Sequence, residues 1–381
     1  MTSHRSFLTA IACLVTIGLL VACGGPGANG PAPLACAEPE DTAPISDPAL
    51  LSAIRDELAT SSDPTCGELA ALRGIDANDR DIATLAGLEH ATSLERLGLD
   101  RNAIVDVAPL AGLTSLHWLW LGGNDIADIA PLAGLSDLRG ISLWQNPVAS
   151  FAPLSALTEL EQAYIGGTNA RDHEALAGLT ALRILHLHHS GITDLGFLAG
   201  MTELEEFHAT WNQDLGDASA LASATNLVRL DLGDTGLSDV AFLASLANLR
   251  EVRLWGNPIA DVGPIEALSG LTLVDVGGTG MSDLAFLADS PGLVSLYAWS
   301  NGISDVSVLA SLSDLATIVI GGNAISDIGP LVANAGFGAG AYLNVEWNCL
   351  DLTAGSANRS DIDALVARGV EVRFEPQRED C

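Results

Sequence analysis

The side chains equipped for chemistry in this chain are few, and their spacing is regular. Tyr164, His186, His208, Asp231 and Arg253 follow one another at intervals of 22 residues, or 23 at one step, and His188 lies two beyond His186. Imidazoles and a carboxylate are the donors of a transition-metal site, which makes His186, His208 and Asp231 the metal candidates. No His-Glu-x-x-His run and no paired-cysteine spacing accompanies them. Neither a metal nor any cofactor is therefore expected, and polar recognition is the simpler use of these groups. The chain has no Lys, so all 16 of its Lys and Arg residues are Arg. That rules out phosphate-loop lysines, Schiff-base lysines and lysine bases. With no serine elbow either, an enzyme is not expected.

The elements that position these residues are repeats. One position recurs as Asn102, Asn124, Asn146, Thr168, Ser190, Asn212, Thr235, Asn257, Thr279, Asn301, Asn323 and Asn348. The period is 22 residues, with one residue inserted before Leu215 and three in the final unit. A full unit, Asn102 to Gly123, reads Asn-x-Ile-x-Asp-Val-x-Pro-Leu-x-x-Leu-x-x-Leu-x-x-Leu-x-Leu-x-x. Strict self-similarity at such a period means stacked units sharing one continuous core. Alternation at Leu119-Trp120-Leu121 is strand period, with the two leucines inward.

This unit resembles the 22-residue leucine-rich repeat of internalin-like bacterial surface proteins, over roughly residues 67–348. The resemblance implies an α/β solenoid: a horseshoe with a concave parallel β-sheet, short helices or turns on the convex side, and a cap at each end. The chain lacks an immunoglobulin-like domain after the repeats and a cell-wall sorting tail, so what is specific to internalins does not carry over. An open, gently curved sheet does not exclude water, which again argues against catalysis.

With the leucines inward, four positions per unit face the concave side: Trp118, Trp120, Gly122 and Gly123 in the first full unit. All seven Trp (Trp118, Trp120, Trp144, Trp211, Trp255, Trp299, Trp347) and all three Tyr (Tyr164, Tyr297, Tyr342) fall on those positions, and no Phe does. Trp and Tyr combine large apolar area with a polar handle, as binding surfaces require. Trp144, Trp255 and Trp299 have Gly at the same position on both flanking units, so the rings are also expected to pack over backbone. The expected function is a binding scaffold for a protein or peptide, with a glycan-binding module or a structural envelope protein as alternatives. Two aromatic patches flank the histidine centre in this reading.

Asp106, Asp128, Asp172, Asp194, Asp217, Asp239, Asp261, Asp283, Asp305 and Asp327 share another repeat position, broken only by Ser150. Stacked carboxylates are possible Ca²⁺ ligands, but capping of the convex turns is the ordinary use. The Asn, Thr and Ser markers are read as backbone-bonding ladder residues.

At the N-terminus, Arg5 precedes an apolar run from Phe7 to Ala22, too short for a membrane span, and Leu20-Val21-Ala22-Cys23 resembles a lipobox. Residues 1–22 are read as a lipoprotein signal peptide, with lipidation at Cys23. Residues 23–47 form a Gly/Pro-rich tether. The expected location is the bacterial cell envelope, an outer membrane or the cell surface, with the lipid as the sole membrane contact. A net charge of −32 opposes nucleic-acid binding, and a monomer is expected. Residues 48–66 are read as a helical cap beginning at Asp47-Pro48, and 349–381 as a closing cap. There Ser360 and Asp363 open a helix through Arg368, Gly369 stops it, and Val370 to Phe374 form a strand. A solenoid holds its ends far apart, leaving Cys36 to pair with Cys66 and Cys349 with Cys381.

Overall fold

The computed structural model describes residues 36–259, 261–378 and 381. The leader, Cys23 and most of the tether lie outside the described residues. Among the described residues, fourteen three-residue strands, from β1 (Gly74–Asp76) to β14 (Glu371–Arg373), form one sheet in sequence order. Neighbouring strands are parallel throughout, as in the pairing of β6 (Ile184–His186), β7 (Glu206–His208) and β8 (Arg229–Asp231). The residue inserted before Leu215 is absorbed in a turn, so His208 still pairs with Asp231. This is a leucine-rich-repeat solenoid.

Each unit folds as it does because its apolar residues alternate through the strand and then recur every third residue across the convex side. Leu119, Leu121, Ile126, Leu132, Leu135 and Leu138 are all fully buried, and the equivalents in other units repeat the pattern. Burial of each such side chain stabilises the stack by about 1.5–3 kcal/mol. All but the last of the convex elements are single 3₁₀ turns, such as Ala108–Leu110 and Ala130–Gly134, where Pro at the first turn fixes φ. The aspartate row caps them. Asp106, Asp128 and Asp239 each accept the amide two residues on at 2.8 Å. At Ser150 the next unit substitutes, because Asp172 reaches back to the Ser150 hydroxyl at 2.6 Å and the Phe151 amide at 2.9 Å.

The asparagine markers stitch rung to rung. Asn124 Nδ2 donates to the carbonyls of Leu99 and Leu121, both at 2.9 Å, while its Oδ1 accepts from Ile104 N at 3.0 Å. Thr168 and Ser190 are buried at the same position, but their hydroxyls bond only within their own units, to Ile165 O and His188 O.

At the N-terminal end, α1 (Pro48–Glu57) is capped by Asp47, whose carboxylate accepts from Ala49 and Leu50. A second helix, α2 (Cys66–Ala71), opens with a capping box between Thr65 and Glu68. The sequence reading began the repeats at 67 and missed this helix, although Thr65-x-x-Glu68 was its signal. At the other end, beyond the short convex helix α3 (Gly329–Ala333), α4 (Ala357–Ala367) begins earlier than expected. Ser356, not Ser360, is its N-cap and accepts from Arg359 N at 3.2 Å, while Ser360 sits inside the helix bonded back to Ser356 O. Gly369, at φ +93°, ends it, and β14 is shorter than the expected 370–374 strand. Disulfides join Cys36 to Cys66 and Cys349 to Cys381. No helix among the described residues is long and apolar enough to cross a membrane.

Candidate functional site

Strand pleat carries the concave positions outward, and parallel register stacks like on like. A row of rings results. Trp118 and Trp120 lie 5.9 Å apart between centroids, Trp120 meets Tyr164 edge-on at 5.9 Å, and Tyr164 meets His186 edge-on at 4.8 Å. His186 then stacks on His208 at 4.1 Å with planes 10° apart. The aromatic patch runs into the histidine centre: Trp120 reaches across the intervening strand of Ser142 to Tyr164, and His186 and His208 follow on the next two strands. A second row lies beside it, where His188 meets His189, His189 stacks on Trp211 at 4.6 Å, and Trp211 meets Trp255 edge-on at 5.6 Å. Among the described residues no ring contact links Tyr297, Trp299, Tyr342 and Trp347, and Arg373 lies over Tyr342 at 6.0 Å.

Several indoles rest on glycine. A Cβ at Gly122 would fall 1.9 Å from Trp144, one at Gly233 2.1 Å from Trp255, one at Gly277 2.1 Å from Trp299, and one at Gly140 2.2 Å from Trp118. These rings are half-buried, with one face on backbone and the other toward the concave groove. Trp211 and Trp347 differ. They stand 44% and 55% exposed, and both have φ of 59°, in the left-handed region where other rungs place Gly123, Gly167 or Gly278. Bulky residues are rare there, and the strain costs on the order of 1 kcal/mol each.

Two clefts open on this face. One, of about 570 Å³, is walled by Trp118, Trp120, Arg96 and Asp76. The other, of about 440 Å³, lies between Trp120, Trp144, Tyr164, His186, His188 and Asp100. Trp120 is the shared wall.

The polar centre is organised by a residue the sequence reading passed over. Glu206 is buried, and its Oε1 lies 2.8 Å from His186 Nε2 and 3.4 Å from His208 Nε2. Its other oxygen receives Arg229. Burial would raise the Glu206 carboxyl, but hydrogen bonds from His186 and Arg229 outweigh it and hold the group below its ordinary range. Burial, reinforced by the neighbouring imidazole of His186, pushes His208 down to about 4, and burial also lowers His186 and His188. These imidazoles are neutral at physiological pH. Asp231, expected as the third metal candidate, instead accepts Gly233 N at 3.1 Å, and burial raises its carboxyl to about 6. Arg253 pairs with Glu251 at 3.1 Å. Among the described residues, the group whose ligand atoms all lie within 4.8 Å of one another is His186, Glu206 and His208. The signal for Glu206 was its place two residues before His208, on the same face of one strand.

No protein-family model and no curated protein matches the chain. Solved structures do. An internalin, InlF, from Listeria monocytogenes aligns at 28% identity and TM-score 0.78, over 87% of this chain and 96% of that one. A leucine-rich-repeat protein from Leptospira interrogans aligns at 16% identity and TM-score 0.66, over 81% and 85%. The functional domain of InlJ from Listeria monocytogenes aligns at 17% identity and TM-score 0.58, over 84% and 78%. The latter two speak for the fold alone; with the first, they show that this chain has an internalin-like leucine-rich-repeat fold.

Proposed function

We propose that the chain is a non-enzymatic scaffold at the bacterial cell envelope that binds a protein or peptide through its concave face. The observation carrying this reading is the unbroken ring row from Trp118 to His208, bordered by two clefts. Interface energy concentrates in such aromatic anchors. The exposure of Trp211 and Trp347, at 44% and 55%, adds support, since large rings left in water mark an interaction surface. The likeness to an internalin at 28% identity agrees with a binding scaffold. The test is in-cell cross-linking, in which a partner captured by the parent chain is lost from Trp120→Ala. Equal capture by both would refute the assignment.

A glycan ligand is the second reading, favoured by the flat indole faces that Gly122, Gly233 and Gly277 support. A glycan array read with the same variant separates the two. We further propose lipid attachment at Cys23, with Gly24 rather than Asp after it favouring an outer membrane where the cell has one. The two disulfides fit such an oxidising location. Mass spectrometry finding an unmodified N-terminus elsewhere would overturn the anchor.

A further inference from the structure

The geometry points to a divalent transition-metal site on the concave face, formed by His186 Nε2, His208 Nε2 and Glu206 Oε1. Two imidazoles and one carboxylate are the donor set of open zinc sites with three protein ligands, in which the remaining position faces the surroundings. His186 also lines the cleft that holds Tyr164. The ion class follows from the donors, because mixed imidazole and carboxylate suit zinc, copper or nickel, whereas calcium and magnesium ask for oxygen alone.

Four observations support the site. First, the three atoms already converge: the two imidazole nitrogens approach one carboxylate oxygen at 2.8 and 3.4 Å, and all three lie within 4.8 Å. Bond lengths of about 2.0–2.2 Å around a tetrahedral ion put its ligand atoms roughly 3.4 Å apart. The two stacked imidazole planes, 10° apart, must splay by side-chain rotation before both in-plane lone pairs meet one ion.

Second, His208 Nε2 is buried and has no hydrogen-bond partner, being near Glu206 Oε1 but poorly angled toward it. Buried polar atoms are nearly always satisfied, and an ion is one of the few explanations for one that is not. Third, His186 Nε2 meets Glu206 Oε1 at 2.8 Å, and moving the ring proton to Nδ1 frees the Nε2 lone pair for an ion at that point. Fourth, Arg229 holds the second carboxylate oxygen and so orients Glu206 with Oε1 toward the rings, as an outer partner does in metal sites. Its positive charge opposes a cation, but the chain's net charge of −32 works the other way.

The site stands independently of any partner, so the metal alone is the probe. Zinc chloride titrated calorimetrically into the chelator-stripped full chain should bind one ion per chain. His208→Ala and Glu206→Gln should each weaken binding at least about tenfold. Asp231→Asn, whose side chain is occupied with Gly233, should change it less than about twofold. Cobalt substituted for zinc should show ligand-field absorption of a nitrogen- and oxygen-ligated ion, lost in the His208 variant. Because Glu206→Gln also unseats Arg229, His186→Asn serves as an independent ligand variant, and circular dichroism confirms folding of each. Absence of zinc binding at millimolar concentration, or binding unchanged in the three ligand variants, would overturn the proposal. So would loss in Asp231→Asn equal to that in His208→Ala.

Discussion

The seating of indoles on glycine allows a ring to be moved without touching the core. In Gly277→Ala the new Cβ would lie 2.1 Å from Trp299. The ring must retreat by about 1.3 Å to reach ordinary contact near 3.4 Å. Gly277 is outside the left-handed region, so alanine fits its backbone and the whole effect falls on the ring. Lifting one indole face exposes roughly 50 Å² of apolar surface, about 1.3 kcal/mol. The smaller unfolded-state entropy of alanine returns about 0.5 kcal/mol. The net loss of about 1 kcal/mol lowers Tm by roughly 2 °C in a chain of this size. Fluorotryptophan NMR should resolve the seven indoles, with Trp299 assigned through Trp299→Phe. Its resonance should move in Gly277→Ala while those of Trp118 and Trp120 stay. Gly112→Ala, where a Cβ meets nothing within 4 Å, is the control and should leave every resonance and Tm in place. An unmoved Trp299 resonance, or wholesale unfolding, would refute the argument that these glycines exist to seat rings.

Phe207 is fully buried behind the same strand that carries His208. Phe207→Ala should cost about 3–5 kcal/mol by calorimetric unfolding, whereas Trp120→Ala should lose at least about tenfold in partner affinity with a smaller change in Tm. Reversed outcomes would make the aromatic row packing rather than a binding face. Trp347→Gly should raise stability by about 0.5–1 kcal/mol, because it relieves a left-handed backbone and removes an exposed ring; a loss would show that the ring packs. Asp231, at about 6 in the fold against 3.8 as its ordinary value, favours the folded state fully below pH 3.8 and loses that contribution as pH rises to 6. Asp231→Asn should therefore match the parent near pH 3.5 and exceed it by on the order of 1–3 kcal/mol at pH 7, and an equal gain at both pH values would count against the burial argument.

The period, the inward leucines and the concave positions were readable because one short unit is written many times. A strict repeat also fixes register, so the adjacency of His186, His208 and Asp231 followed from spacing. What escaped notice depends on side-chain reach rather than position. Glu206 is long enough to cross to both imidazoles, whereas Asp231, a methylene shorter, turns onto its own backbone at Gly233. The start of α4 was misplaced because Ser356 and Ser360 are chemically equal candidates. Only the chain path through Gly355, at φ +88°, selects the first. The union of aromatic and histidine patches was also hidden, since ring tilt follows from packing and not from type.

The asparagine ladder carries a consequence for where the stack opens. Solenoids ordinarily loosen from their ends, where the last rung has one neighbour. Here both ends are clamped covalently and capped by helices. Thr168 and Ser190 are consecutive markers that make no side-chain bond back to the preceding rung; Asp172 bridges the first of these steps on the convex side, which leaves the step between the strands carrying Tyr164 and His186 without either bridge. The seam of least resistance thus runs beneath the candidate site. Amide exchange should be fastest mid-stack, and a ligand seated across that seam would act as a splint, slowing exchange far from its own contacts.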